Sequence, residues 1–491
     1  MVTDKKVSGG LEWRVRMSDG STSEILVPET GLIRKICSVI IGMILGLVRK
    51  VQRFLNKAWD VAVGDPRKIV HCVKVGMALA VVSLFYYVRP LYQGVGGTAM
   101  WAVLTVVVVF EFTVGACLSK SFNRTSGTCL AGFLAVGVHW IASQSGEEIE
   151  PIILRSSVFI LAAAATFSRF IPTVKARFDY GVLIFILTFS LVSVSSYRVK
   201  DLLDLAQERL STVVIGEAIC LVISMLICPV WAGQELHVLV ARNMEKLATS
   251  LDASVTEHFK ENTDALEDDE ETRKKIQGYK CVLNSKASEE SMANFARWEP
   301  AHGRFSYRHP WKQYLKMGVS VRNCAYCIEA LIGCLNSDIQ APEIVTKHLS
   351  KVCMKLSSHS SLVLQDLARI IKNMRTSSTV EFSVEGMKSS VQELQVALKS
   401  LPEQYTPSEF PAQQMSSPGI IPLIEVLPVV SAISLLIEIA TRIEQIVFLV
   451  DELAKLANFK PVKDSKSRQG QMTNKTSSIE GKETMKLEEI V

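Results

Sequence analysis

Six apolar windows in the first half of the chain constrain its fold more than any other feature. Crossing about 30 Å of hydrocarbon takes about 20 apolar residues at 1.5 Å each. The windows run approximately from Ile69 to Val88, Gly94 to Val114, Ser126 to Ala142, Ile152 to Ser168, Tyr180 to Tyr197, and Ser211 to Trp231. Short connections separate them, so neighbours must run antiparallel as hairpins. The expected class is all-α, with a six-span helical membrane domain followed by a cytosolic helical domain.

A mean hydropathy of +0.24 over 491 residues argues against a purely soluble enzyme. No GxSxG elbow, HExxH or Walker-type loop occurs, so no enzymatic activity is expected. The net charge of +5, from 54 basic and 49 acidic residues, is too small to argue for nucleic-acid binding. The 11 cysteines are scattered through apolar runs and imply no disulfide framework. Cys324, Cys327 and Cys334 cluster, but no second CxxC or paired His follows at zinc spacing, so neither metal nor cofactor is expected.

Four regions follow from composition. Residues 1–58 form a cytosolic segment without an apolar leader, in which Ile36 to Val48 is about 13 residues long, bracketed by Arg34, Lys35, Arg49 and Lys50, and suits an interfacial helix. Residues 59–232 hold the spans, and 233–459 the cytosolic helices, which carry apolar steps such as Leu236, Val240, Met244, Leu247 and Leu251. Within the latter, Asp264 to Glu271 reads as an acidic loop and Leu401 to Pro428 as a Pro-rich linker. Beyond it, Val429 to Phe459 reads as an amphipathic helix, and residues 460–491 are expected to be a disordered tail.

Orientation follows the Lys/Arg bias of short loops. Arg49, Lys50, Arg53, Lys57, Arg67 and Lys68 precede the first span, Lys120 and Arg124 lie between the second and third, and Arg169, Lys175 and Arg177 between the fourth and fifth. The opposite loops hold Arg89, then Glu147, Glu148 and Glu150, then a mixed group. Both termini should face the cytosol.

Charges inside spans cost about 2.5 to 3.5 kcal/mol each on insertion scales, and those retained usually face a pore or a partner. Here they are Lys74, Glu111, Arg155 and Glu217, with Arg124, Arg177 and Arg209 at span mouths. Taken singly, each cation could snorkel to phosphate. Taken together, Lys74, Arg124, Lys175 and Arg177 at the cytosolic ends and Arg155 and Arg209 at the other face describe basic rings that draw anions in. Lys74 and Arg124, expected at comparable depth, would repel unless an anion sat between them. Glu111 has the wrong sign for an anion path and reads as either a gate or a static partner of a cation.

Several strings carry a resemblance. HCVKVGMALAVVSLFYYVRPLYQGVGGTAMWAVLTVVVVFE, AGFLAVGVHWIA, RFDYGVLIFILTFSLVSVSSYRV, CPVWAGQELH and the run from Trp298-Glu299-Pro300 through HGRF and RHPWKQY resemble the aluminium-activated malate transporter family of plants, in the family's order. The resemblance implies anion channels passing malate and inorganic anions across the plasma or vacuolar membrane, built as homodimers with six spans per subunit in the lipid bilayer. It places basic pore positions at Lys74, Arg124, Lys175 or Arg177, and Arg209. It also matches Glu111 to the acidic residue closing the second span and Glu299 to the signature glutamate. The chain departs from many members in carrying Cys228 where they place Phe, and it shows no acidic cluster aligned to take a trivalent cation. A passive malate channel is therefore expected, with a coupled organic-acid exporter and a non-conducting scaffold as the alternatives.

The loop charges predict that single cysteines introduced at Ser145 and at Ser465, in a background without reactive native thiols, differ in access. An impermeant reagent added outside should label the first alone; labelling at Ser465 would put a seventh span after Val429.

Overall fold

The computed structural model describes residues 32–88, 99–146, 148–195, 202–259, 269–306, 308–337, 343–404 and 423–461. The expected disordered tail beyond Pro461, the acidic loop up to residue 268, residues 405–422 of the linker and the loop positions Arg89, Glu147 and Arg198 lie outside the described residues. The chain divides into two compact units, 1–73 and 74–491.

In the first unit, α1 (Leu32–Gly64) is a 33-residue helix. The 13-residue interfacial run is thus only its first part, because Val51, Phe54, Leu55 and Trp59 continue the apolar steps beyond the Arg49–Lys50 pair. Ile36, Ile40, Ile44, Leu47, Val51 and Leu55 are all exposed within this unit. Asp65 separates α1 from α2 (Pro66–Tyr87), and its carboxylate accepts the Arg67 backbone N–H at 3.2 Å. Pro66 opens α2, where a missing N–H costs nothing.

In the second unit, α2 is followed by α3 (Ala99–Val109), α4 (Val114–Ser143), α5 (Glu150–Ser168), α6 (Pro172–Arg177), α7 (Asp179–Ser195) and α8 (Leu202–Leu226). α4 packs on α5, α7 and α8, and α3 packs on α8. These contacts use small residues, as expected where lipid gives helices no hydrophobic reason to associate. A Cβ on Gly127 would stand 2.6 Å from the Gly181 carbonyl, and one on Gly216 would stand 2.9 Å from Thr105 Cβ.

One difference from the sequence reading matters for the site. Lys120 and Arg124, expected in a loop before a span starting near Ser126, lie inside α4, which begins at Val114. Thr113 caps the helix by accepting the Ala116 N–H at 3.3 Å. The polar run Ser119, Ser121, Asn123 and Arg124 tolerates helix because it is buried against neighbours. Asn123, for example, donates from Nδ2 to the Ser119 and Arg177 carbonyls at 2.8 and 3.1 Å.

The remaining helices are α9 (Ala232–Phe259), α10 (Asp269–Ile276), α11 (Gly278–Leu283), α12 (Lys286–Ala296), α13 (Trp311–Leu335), α14 (Glu343–Asn373), α15 (Thr379–Gln404) and α16 (Leu423–Leu456). They share one core, in which α9 packs on α13 and α14, α13 on α16, and α14 on α15. Leu236, Val240, Met244, Leu247 and Leu251 form the buried face of α9. On α16 the stripe of Ile433, Ala440, Ile443 and Val450 is buried, with Ile437 and Val447 at its edge. Two two-residue strands, β1 (Arg375–Thr376) and β2 (Lys460–Pro461), pair in parallel with Arg375 opposite Lys460.

Five described helices are long and apolar enough to cross a membrane: α2, α4, α5, α8 and α13, while α3 and α7 are shorter apolar helices. The six expected windows fall on α2, α3, α4, α5, α7 and α8. α13 differs in kind. Of its most apolar stretch 44% is buried, against 6% for α5, and it buries Gln313 and an Arg322 ion-paired to Glu289. α5 instead exposes Ile152, Phe159, Ile160 and Phe167, as a lipid-facing helix does.

The core of these later helices is acid-sensitive. The Tyr314 hydroxyl sits between His237 Nδ1 at 2.8 Å and His309 Nε2 at 3.3 Å. Burial pushes both histidines down to about 4. Each then stays neutral in the fold while its unfolded counterpart takes a proton below about 6.5. The stability from keeping them neutral is complete above about 6.5 and is lost as pH falls toward 4, at up to about 1.4 kcal/mol per pH unit per histidine. Thermal unfolding of the full chain in detergent should therefore shift down between pH 7 and pH 5, and His309→Asn should flatten that dependence; an unchanged slope would contradict it.

Candidate functional site: buried cations and a carboxylate clasp

Arg124 projects from α4 and is 5% exposed. Its Nη1 donates to the Tyr180 hydroxyl at 3.2 Å, while its Nε has no hydrogen-bond partner among the described residues. Arg209, on α8, stacks its guanidinium over the Trp101 ring, 4.3 Å from the centroid, and its buried Nε is likewise unpartnered. Both arginines line one cavity of about 30 Å³ with Trp101, Thr128 and Thr188. That volume suits one or two waters and no dicarboxylate. Two guanidinium N–H groups without acceptors among the described residues are costly in a low-dielectric setting, and either a water or a small anion in the cavity can accept from them.

Lys74 does not line this cavity. It is 3% exposed, and its Nζ donates to the Cys228 carbonyl at 2.9 Å. Cys228 adopts a left-handed backbone with φ of 38°, which turns that carbonyl at the end of α8 toward the ammonium. The expected Lys74–Arg124 partnership is therefore replaced by Arg124 with Arg209. Depth along a span can be read from residue counting, but which helix faces contact cannot.

The other expected positions lie apart. Arg155 is exposed on α5, and Lys175 and Arg177 are exposed on the short α6. Glu111 pairs with Lys120, whose Nζ also lies 5.6 Å from the centroid of the Tyr180 ring. Glu217, 6% exposed on α8, accepts from Thr125 Oγ1 at 2.5 Å through Oε2 and has no partner for Oε1 among the described residues. Trp101 and Tyr180 escaped the sequence reading because aromatic residues in apolar spans carry no distinguishing signal. The RFDYG string around Tyr180 offered the one local hint, a Tyr directly after an Arg–Phe–Asp run.

Glu299 does something different. Its carboxylate is buried at the meeting of two helix N-termini: Oε1 accepts from Gly115 N at 3.2 Å and Ala232 N at 2.6 Å, and Oε2 accepts from Gly233 N at 3.0 Å. These are first-turn N–H groups of α4 and α9, which lack intrahelical partners and carry the positive end of each helix dipole. Burial pushes the Glu299 carboxyl up, while the three N–H groups and His302, with Nε2 at 3.9 Å, pull it back. Trp298 packs on Phe122 of α4 with centroids 5.1 Å apart. Arg297 is pushed down by burial and by the like charge of Arg177.

Apolar helices long enough to cross a membrane, holding one buried and one half-buried arginine and clasped to a second helical layer by one carboxylate, define a multi-pass helical membrane protein. Residues 59–419 match the family model described as "Aluminium activated malate transporter". The chain is similar to aluminum-activated malate transporter 10 of Arabidopsis thaliana, 51% identical over 95% of this chain and 98% of the relative. It is also similar to transporter 2 of the same plant, 46% identical over 86% and 82%, and to transporter 1 of Triticum aestivum, 42% identical over 88% and 92%. The chain therefore belongs to the aluminium-activated malate transporter family.

The clasp makes a prediction about stability. Glu299→Gln removes one acceptor from a set of three N–H donors, a loss of about 1–3 kcal/mol. Gly115→Ala drives a methyl to within 2.5 Å of the Phe295 carbonyl and 2.8 Å of Glu299 Oε1, outweighing its helix-propensity gain of about 1 kcal/mol. Both variants should melt below wild type by scanning fluorimetry in detergent. Wild-type melting curves for both would refute the clasp.

Proposed function

We propose that the chain is a passive channel for malate and inorganic anions, with no catalytic step. The observation that carries this reading is the cavity lined by both Arg124 and Arg209, whose buried Nε atoms have no hydrogen-bond partner among the described residues. Lys74, Lys175 and Arg177 extend the cationic route, several moderate sites being suited to ions that must leave as well as enter. Glu111 and Glu299 serve charge pairing and gating, not conduction. Residues 59–232 supply six spans, 233–459 a cytosolic regulatory domain, and both termini face the cytosol. The substrate reading is in line with the names of the relatives, which are malate transporters; the working form in this reading is a homodimer in the plasma or vacuolar membrane.

At about 30 Å³ the cavity is too narrow for malate, and in this reading the conformation is a closed one. Opening must separate α4 from α8 and α3, the helices that carry Arg124, Arg209 and Trp101.

Reversal potentials under bi-ionic malate/chloride gradients test the assignment. Arg124→Gln and Arg209→Gln should each lower the malate/chloride permeability ratio by roughly fivefold, the equivalent of about 1 kcal/mol, at normal surface abundance. Lys74→Gln, which loses a backbone tether, should change the ratio less. Intact ratios in both arginine variants would refute the pathway, and currents that fail to reverse at the Nernst potential would favour the coupled exporter.

A further inference from the structure

A second cationic site lies in the helical domain, away from the spans. A cavity of about 900 Å³ opens between the C-terminal end of α14, the N-terminus of α15 and the C-terminal end of α16, where β1 and β2 pair. Arg304, Arg369, Arg375 and Lys460 line it with Ser377 and Thr379. Its one carboxylate, Asp366, is already satisfied: Oδ1 accepts from Arg369 at 2.7 Å and Oδ2 from Ser383 at 2.8 Å. Arg304 donates through Nη1 to the Asn373 carbonyl at 2.9 Å, which fixes the guanidinium at the cavity wall. No carboxylate lies within ion-pair distance of Arg375 or Lys460 among the described residues, and the parallel strand pair holds these two opposite each other.

Two further observations point inward. Met374 and Asn458, with φ of 50° and 53°, both line the cavity in the left-handed region. Each is the left-handed cap just past a helix C-terminus, and here these caps shape the turns that present Arg375 and Lys460. The first turn of α15 starts at the lining residue Thr379, so its free N–H groups and dipole add positive potential to the four side chains.

We propose that this cavity binds a compact polyanion bearing two or more phosphate groups, and that the bound ligand acts on the anion pathway through Glu299. Arginine forks match phosphate oxygens in bidentate fashion, and the volume falls in the range of small-molecule sites. Arg304 belongs to a four-residue turn closed by the His302 N–H to the Phe305 carbonyl at 3.2 Å and the Phe305 N–H to the His302 carbonyl at 2.9 Å. His302 in the same turn stacks on Trp231 with centroids 3.9 Å apart and reaches Glu299. A phosphate that draws Arg304 toward the cavity shifts this turn, and with it the carboxylate that holds the first turns of α4 and α9. The binding site stands by itself; its effect on current rests on the channel reading above.

Tripolyphosphate titrated by calorimetry into the full-length protein in nanodiscs tests the site. Arg375→Gln/Lys460→Gln is the informative variant because neither exposed side chain has an ion pair to lose among the described residues. Tripolyphosphate binding by wild type, weakened at least tenfold in the double variant, supports the site with a free ligand. Binding seen only in nanodiscs containing phosphatidylinositol 4,5-bisphosphate, and lost in the same variant, supports it with a lipid headgroup as the source. No binding by either arm, or equal binding by wild type and variant at matched melting temperature, overturns it. In patches, tripolyphosphate on the cytosolic face should change the malate current of wild type at concentrations at least tenfold below those needed for the variant. Intact binding without any current response overturns the coupling through residues 302–305. Absence of malate current from wild type overturns the channel reading and leaves the calorimetric result standing.

Discussion

A single carboxylate holds the two helical layers of this protein in register. Glu299 accepts from the first-turn N–H groups of α4 and α9 at once, so the orphan donors of two helices share one acceptor group. Neither helix could begin where it does without that acceptor, because buried N–H groups left unpaired cost about 1–3 kcal/mol each. The close approach is possible only because Gly115 and Gly233 have no side chain: a Cβ on Gly233 would lie 2.4 Å from the Trp311 ring. The carboxylate, two glycines and two tryptophans are thus one packing unit. The Trp-Glu-Pro signature is its visible part in the sequence.

The start of α4 has a consequence for the cations. Because the helix begins at Val114, Arg124 stands ten residues in, on the face toward α7 and α8, where it meets Tyr180 and the cavity shared with Arg209. A helix starting near Ser126 would have left Arg124 in a loop, free to reach headgroups. The clasp therefore commits Arg124 to the interior. Any movement of Glu299 is transmitted along the same rigid helix that carries the arginine, over about 15 Å at 1.5 Å per residue.

Most of the architecture was legible because it depends on composition over long windows. Hydrocarbon thickness fixes span length, and the windows around α2, α5 and α7 coincide with helices within a few residues, while α8 begins nine residues before its window. The apolar stripes of α9 and α16 were legible for the same reason, being periodic over many turns. What escaped was set by tertiary partners. The polar segment Ser119–Arg124 looks like a loop until Asn123, Tyr180 and Gly181 are seen to receive it. Lys74 and Arg124 looked like partners by depth, yet helix rotation gives Lys74 to the Cys228 carbonyl and Arg124 to Arg209. Glu111 was legible as a charge needing a counter-ion, but Lys120, one and a half turns along α4's opening, was counted as a loop residue.

The distribution of charge between the layers separates two kinds of cation. Lys120, Arg169 and Arg322 each have a carboxylate within reach and are structural: Glu111, Asp179 and Glu289 neutralise them. Among the described residues Arg124 and Arg209 do not, although burial makes an unpaired guanidinium expensive. Glu217 is the nearest candidate to neutralise Arg124, but its Oε2 is committed to Thr125 and no ion pair joins the two. On the proposed anion pathway, a fixed acid between the arginines would quiet their charge and close the route, whereas an anion entering the cavity would offset the cost of leaving them unpaired. An energetic cost that persists in the empty protein and vanishes on occupancy is what a permeation site requires, since it makes entry favourable without a permanent partner that would have to be displaced.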